Sequence, residues 1–347
     1  MPVREKGAYV MAKKYGMDLG TANTVICHRG QIVLNEPSIV AISDSDGEPI
    51  AIGREAKSML GKTPMGISAF QPLKDGVIAD GGATTKMTRG FLEQIQAFSV
   101  FSRPIMIVST PYSATEVEKE ALEHAIRYAG ARDVALIDEP LAAAIGAGLR
   151  VGIAKGSMIV DIGGGSTEAA VISQMGIVRA ESIKIAGNAF DLAIAEYIEQ
   201  TRNVIIGLPT AEKLKMECGS AFPRFDSRTC TVAGMDKLNS HKMGTTLTVS
   251  GGEIREALKE PLDMIAEAIE HTLKITPPEL SADIYGKGIT LTGGGSCILG
   301  IPQMLEQRLG IKVVRVKNKR PLLTVCEGIA RVMESEELLG TLLQYRR

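Results

Sequence analysis

The sequence predicts an α/β fold built twice over, and three observations carry that expectation. First, MDLGTANTVICHRGQIV, from Met17, is similar to VDIGGGSTEAAVISQMGIV, from Val160. In each, an apolar strand closes on Asp-(Leu/Ile)-Gly, a small polar turn follows, a second strand returns, and a glycine precedes a third apolar stretch. Similarity half a chain apart marks a duplicated unit, and strands of this kind alternating with helical patterns build α/β layers. Second, a third glycine run, ITLTGGGSCILGIPQMLEQRLG from Ile289, also follows an apolar strand and leads into a helical pattern at Ile301, Met304, Leu305 and Leu309. Third, 347 residues with 45% hydrophobic content can bury a large core and suit two domains better than one.

The first hairpin carries Gly20, Thr21, Ala22 and Asn23 at its tip and Asp18 at its base. The second carries Gly163, Gly164, Gly165, Ser166 and Thr167, with Asp161 at its base. Three successive glycines leave backbone N–H groups open to close approach by an anion, although a loose hairpin turn would also use them. Facing each other across a cleft, the two tips could hold phosphate oxygens from both sides. The two aspartates suit a hydrated Mg²⁺, which keeps several waters and needs few protein ligands; strand-end aspartates that merely cap turns are the alternative. The run Gly293, Gly294, Gly295 and Ser296 lies where an α/β sheet accepts a ligand, at a strand's carboxyl end, and is left for the adenosine.

Two lookalikes are set aside. G-x-G-x-x-G fails at Gly163 because Glu168 stands in the last glycine position and a strand follows. AKSMLGKT, from Ala56, lacks the first glycine of a Walker loop, and EAKSML reads as a helix stopped by Gly61.

Composition excludes other classes. Lys+Arg 39 against Asp+Glu 40 provides no basic field for nucleic acid. Cys27, Cys218, Cys230, Cys297 and Cys326 are scattered without C-x-x-C or histidine spacing, which disfavours a zinc site and points to a reducing cytoplasm. No apolar run has the length of a membrane-spanning helix, and MPVREKGAYVMAKKYG has no signal-peptide core. Met1 and Met11 are both compatible with a start, so the first ten residues are left out of the expected fold.

DLGTANT at Asp18, VLNEPSIVAI at Val33, PLKDGVIAD at Pro72, DEPLAAAIGAGL at Asp138, MIVDIGGGSTEAAVIS at Met158, AEKLKMECGSAFP at Ala211, PPELSADI at Pro277 and ITLTGGGS at Ile289 follow in this order. Over roughly Tyr15 to Met333 they resemble the actin-like ATPases and, within them, the MreB-like bacterial cell-shape cytoskeletal family. The resemblance implies a duplicated RNase-H-like fold of the actin and chaperone-ATPase kind, two domains each with a larger and a smaller subdomain around a nucleotide cleft. It implies subdomain IA at 14–31 with 77–146 and 316–347, IB at 32–76, IIA at 147–186 with 245–315, and IIB at 187–244. It also implies ATP and Mg²⁺ as cofactors, ATP hydrolysis, and self-assembly into paired protofilaments.

Carried over by motif, Asp18 and Asp161 would organise the magnesium waters, and the two hairpin loops would clasp the phosphates. Glu139 would orient or activate the attacking water, with Thr167 adding a hydroxyl near the terminal phosphate. A carboxylate before Pro140 is equally what a helix N-terminus attracts. Glu212 and Lys215 match a position that contacts ribose and base, or else form an ordinary ion pair on one helical face. The chain departs from the family at Ala186-Gly187-Asn188-Ala189-Phe190-Asp191, where GGD-x-FD is usual, at Asp138, where a Glu is usual, and in the basic segment near Lys317. These changes spare the phosphate loops.

Relatives reach the bilayer through an amphipathic helix or an apolar loop. The residues before Tyr15 lack a helical moment, whereas AFSVFSRP offers Phe98, Val100 and Phe101 either as a membrane-touching loop or as core. The expected place is therefore the cytoplasm, peripherally at the inner face of the membrane, with membrane proteins of cell shape as partners. A small-molecule kinase of the same fold is the rival; it needs an acceptor pocket, and no acceptor motif is found. A chaperone ATPase, a scaffold that binds nucleotide without hydrolysing it, and a specialised filament that positions an organelle or plasmid are further alternatives.

Overall fold

A computed structural model of the chain describes residues 13–98, 102–238, 244–316 and 320–335. These divide into two compact units, one running to Arg150 and resumed at Leu323, the other Val151–Leu322. In the first unit lie β1 (Lys14–Leu19), β2 (Asn23–His28), β3 (Gln31–Pro37), β4 (Ile105–Thr110) and β5 (Asp133–Asp138). They form one sheet in the order β5-β4-β1-β2-β3, antiparallel across the hairpins and parallel from β1 to β4 to β5. The second unit repeats it with β6 (Ser157–Ile162), β7 (Thr167–Ser173), β8 (Gly176–Ile183), β9 (Ile289–Thr292) and β10 (Val313–Arg315), in the order β10-β9-β6-β7-β8 and with the same directions.

Chemistry explains the inner strands. IMIVST in β4 and SMIVDI in β6 are buried at every position, as β-branched and apolar runs covered on both faces must be. The helices that matter here are α1 (Gly81–Gln94), α2 (Glu116–Tyr128), α3 (Glu139–Gly146), α4 (Gly187–Arg202), α5 (Leu208–Cys218), α6 (Lys259–Lys274), α7 (Ile301–Leu309) and α8 (Thr324–Glu334). Asp80 caps α1 through the Ala83 amide, and Thr115 with Glu118 makes a reciprocal cap on α2, satisfying amides that a helix start leaves open. α7 starts at Ile301, where its apolar period begins, after one turn of 3₁₀ helix (Gly295–Cys297) that opens on the last residue of the glycine run.

Each unit has its own core. Met17, Ile26, Met87, Phe91, Met106 and Ile126 anchor the first; Val160, Ile162, Phe190, Ile194, Leu214 and Ile265 anchor the second. α8 brings the chain back into the first unit, where Cys326, Leu323 and Ala330 pack on Val25 and Cys27 of β2. Small three-stranded sheets accompany both: Pro49–Ile52, Val40–Ser43 and Ile67–Phe70 in the first, Val204–Ile205, Thr229–Asp236 and Thr245–Ser250 in the second.

The Walker-like segment is helix Gly53–Met59, and Gly61 follows at φ 70°, so it offers no phosphate loop. Phe98 is partly buried and packs on the first unit's core, its ring lying against Gly130. This contact favours the core alternative for Phe98, since a ring gains by burial against an apolar surface. Val100 and Phe101 lie outside the described residues. No described helix is long and apolar enough to cross a membrane.

Candidate functional site

The two hairpin tips are closed by the same hydrogen bond. The Gly20 amide donates to the Asn23 carbonyl at 3.1 Å, and the Gly163 amide to the Ser166 carbonyl at 3.0 Å. A Cβ at either glycine would stand 3.0 or 3.1 Å from that carbonyl oxygen, so a side chain would crowd the turn. In register, Asp18 faces Val25 and Asp161 faces Glu168, which places one carboxylate at the equivalent base of each hairpin.

The residues that follow the third strand hold each tip from behind. Ser38 donates its hydroxyl to the Gly20 carbonyl at 2.6 Å and its amide to the Ala22 carbonyl at 3.0 Å. In the second unit the amides of Gly187 and Asn188 donate to the carbonyls of Gly163 and Gly164, at 3.1 and 2.8 Å. In a planar trans peptide the N–H points opposite to the C=O, so a carbonyl held inward turns the next amide outward. The held carbonyls of Gly20, Gly163 and Gly164 thus turn out the amides of Thr21, Gly164 and Gly165, and among the described residues no backbone carbonyl accepts from these. Successive outward amides on a turn form an anion-binding concavity, which fits phosphate oxygens.

Thr167 has a different task from the one expected. It is 1% exposed and its hydroxyl donates to the Ile185 carbonyl at 2.6 Å. Thr24, at the matching register on the first hairpin, is also buried, with its hydroxyl 2.8 Å from that of Ser38. Both threonines tie a hairpin to the end of its third strand, and here the Thr167 hydroxyl faces protein.

In the first unit the carboxyl ends of three adjacent parallel strands present Asp18 from β1, Ser109 and Thr110 from β4, and Asp138 with Glu139 after β5. This is the edge at which open α/β sheets take ligands. The Ser109 hydroxyl donates to Asp18 Oδ1 at 3.1 Å. Burial pushes the Asp18 carboxyl up to about 6, with the Ser109 hydrogen bond opposing. Glu139 is the first residue of α3, half-buried, with Pro140 beside it at the helix start. It thus stands both at the ligand edge and at the positive end of a helix dipole.

In the second unit Asp161 is 4% exposed at the end of β6, beside Thr292 of β9. Gly293 has φ 80°, and a Cβ there would collide with Asp161 Oδ1 and the Ile162 carbonyl. Gly295 similarly has no room for a Cβ against Ile162. Gly293, Gly295 and Ser296 are buried and Gly294 is part-exposed, with the Ser296 hydroxyl donating to the Gly293 carbonyl at 2.7 Å. The glycine run therefore wraps the strand end that carries Asp161.

Glu212 and Lys215 sit half-buried on α5, but Lys215 does not pair with its helical neighbour. Its ammonium is 2.8 Å from Asp191 of α4 and donates to the Gly187 carbonyl at 2.8 Å. Sequence reasoning missed three residues: Ser38, Ser109 and Asp191 as Lys215's partner. Only Asp191 left a trace, in the departure at residues 186–191.

Asp18 and Asp161 are hard oxygen donors, the chemistry Mg²⁺ selects. Among the described residues no group of three or more His, Cys, Asp or Glu converges as a metal cage. A concavity of the first unit lies elsewhere, along β3, lined by Ile32, Leu34, Arg54 and Gln94, with none of these side chains in its lining.

Two sheets of one order, each with an aspartate-based hairpin and a tip of outward amides, define the duplicated actin-like fold. Among solved structures the chain superposes on MreB5 of Spiroplasma citri bound to AMPPNP with a TM-score of 0.89 at 33% identity, covering 97% of this chain and 99% of that one. The double helical filament structure of MamK matches at TM-score 0.78 and 21% identity, over 93% of this chain and 98% of that one, which speaks to the fold alone. The chain belongs to the MreB/Mbl protein family, whose pattern matches residues 12–341. It is 46% identical over 331 residues to the cell shape-determining protein MreB of Escherichia coli (strain K12), covering 93% of this chain and 94% of the relative. It is 40% identical over 321 residues to the cell shape-determining protein Mbl of Bacillus subtilis (strain 168), covering 92% and 96%.

Proposed function

We propose that this chain is an ATPase that assembles with ATP into paired protofilaments and organises cell shape and cell-wall synthesis from the inner face of the cell membrane. The observation that carries the nucleotide reading is the pair of hairpin tips with an outward amide at the equivalent positions Thr21 and Gly164, joined by Gly165 in the second. Support for the rest comes from similarity: relatives are named for determining cell shape, and solved relatives hold AMPPNP or ADP. The finer division into subdomains IA, IB, IIA and IIB belongs to the same reading.

In this reading the tip amides bind the phosphates, Gly294 borders the adenosine, and Glu212 contacts it. Asp18 and Asp161 would hold Mg²⁺ through its waters, and the ion would supply neutralisation of charge on the phosphate oxygens. Glu139, at the carboxyl edge of the first sheet, orients the attacking water and accepts its proton. Ser109 fixes the Asp18 carboxylate by its hydrogen bond.

The test joins light scattering with electron microscopy and phosphate release, on purified protein with Mg²⁺ and either ATP or AMPPNP. Filaments with both nucleotides and phosphate release with ATP are expected. A protein that stays monomeric over a wide concentration range refutes the assembly reading, and turnover only in the presence of a small acceptor would make it a kinase.

A further inference from the structure

α4 starts at Gly187 without a capping side chain, because Ala186 stands at its N-cap. Its first amides are instead capped by the phosphate loop itself, Gly187 by the Gly163 carbonyl and Asn188 by the Gly164 carbonyl. Those two bonds set the peptide planes 163–164 and 164–165, and with them the direction of the Gly164 and Gly165 amides. What holds Gly187 in place is therefore what aims the loop. Lys215 does so from α5, donating to the Gly187 carbonyl at 2.8 Å while its charge is met by Asp191, one turn further along α4, at 2.8 Å. Both side chains are nearly enclosed, at 13% and 11% exposure, and the space beside Gly187 is tight: a Cβ there would sit 3.3 Å from the Gly163 carbonyl and 3.5 Å from the Lys215 ammonium. The first unit holds its tip through Ser38, by the hydroxyl on Gly20 and the amide on Ala22, whereas the second hairpin is backed by a charged pair.

We propose that Lys215 and Asp191 are positioning residues for the 163–165 phosphate loop, and that α5 thereby sets how well the loop grips phosphate. The proposal rests on the nucleotide-binding reading above. It separates from a direct base contact by what each would discriminate. A contact to the base distinguishes ATP from GTP and survives in adenosine. A brace on the phosphate loop weakens both triphosphates alike and leaves adenosine unaffected.

The experiment measures ATP, GTP and adenosine affinity of the full chain as wild type, Lys215→Met, Asp191→Asn and the double variant, with thermal unfolding as the folding control. Hydrogen exchange at the Gly187 and Asn188 amides, which donate to the loop, is the second readout without nucleotide. Expected are roughly tenfold weaker binding of ATP and GTP in each single variant, as for outer-shell partners of a site. The double variant should be no worse than the weaker single one, because both changes break one interaction. Faster exchange at the Gly187 and Asn188 amides should accompany them. Loss of the ATP-over-GTP preference in Lys215→Met with Asp191→Asn binding like wild type overturns the proposal, and so do wild-type exchange rates in a folded Asp191→Asn. If Lys215→Met fails to fold, the isosteric Asp191→Asn decides alone. If wild type takes up no ATP, the nucleotide reading falls, while the exchange rates still decide whether the pair braces the loop.

Discussion

α3 and α8 approach so closely that glycine is required on both. A Cβ on Gly146 would collide with the Thr324 carbonyl and come within 2.9 Å of the Gly328 amide; one on Gly328 would collide with the Ala142 carbonyl. The obstacle is backbone in each case, and backbone cannot rotate away as a side chain can. In an open helix, Gly→Ala stabilises by about 0.8–1 kcal/mol. Here the methyl must push two helices apart, and overpacking costs about 1–3 kcal/mol before contacts along the pair are lost. Overpacking prevails, and Gly146→Ala or Gly328→Ala should destabilise the first unit by about 2 kcal/mol. Gly286, in helix Pro278–Lys287, is the internal control, because nothing lies within 4 Å of its Cβ position. Gly286→Ala should be neutral or stabilising by up to about 1 kcal/mol. Urea unfolding of the three variants is the assay, followed with a probe in each unit. Because α3 begins at Glu139, the two destabilised variants should also release phosphate more slowly while binding ATP nearly as well. Stabilisation of Gly146→Ala or Gly328→Ala to the level of Gly286→Ala would show that the helices are not in backbone contact and refute the reasoning.

Glu139→Ala should slow phosphate release with ATP binding and assembly largely kept, since a water-orienting carboxylate acts in the transition state; release at the wild-type rate removes it from the mechanism. Asp18 in the folded chain titrates near 6 against an ordinary 3.8, so between these values the folded state binds more protons and stability falls as pH rises. Asp18→Asn should therefore stabilise the nucleotide-free chain at pH 7, by no more than about 3 kcal/mol, with the gap closing below pH 4, while Mg²⁺-dependent nucleotide binding weakens. A gap that widens on acidification contradicts this. Phe98→Ser should lower stability by about 2 kcal/mol because its ring is packed on the core and Gly130, and liposome co-sedimentation of the folded variant should match wild type; reduced lipid binding with unchanged stability would return Phe98 to the membrane.

Much of this protein could be read along the chain because its signals are local. A hairpin is written within a score of residues: apolar strand, Asp-x-Gly, small polar tip, returning strand. Writing it twice makes the duplication visible before any contact is known. The start of α7 at Ile301 and the helix stop before Gly61 are equally local, since periodicity and positive-φ glycine act within a few residues. What a side chain faces could not be read this way. Thr167 looked like a phosphate contact because it sits on the loop, yet only the return of the chain at Ile185 shows where its hydroxyl goes. Phe98 beside a strand was compatible with core or membrane, and its packing against Gly130 is a contact that the sequence does not write.

By itself, then, the sequence determined the twofold α/β plan, the two hairpins and their aspartates, because turn chemistry and strand alternation operate between neighbours in the chain. Only the tertiary structure decided the company those residues keep. Ser109 reaches Asp18 across 91 positions, Cys326 of α8 packs against β2 across some 300, and Lys215 finds Asp191 rather than Glu212. Parallel strands and crossing helices are paired by burial, and an apolar pattern that makes a segment buriable does not name the segment that will cover it.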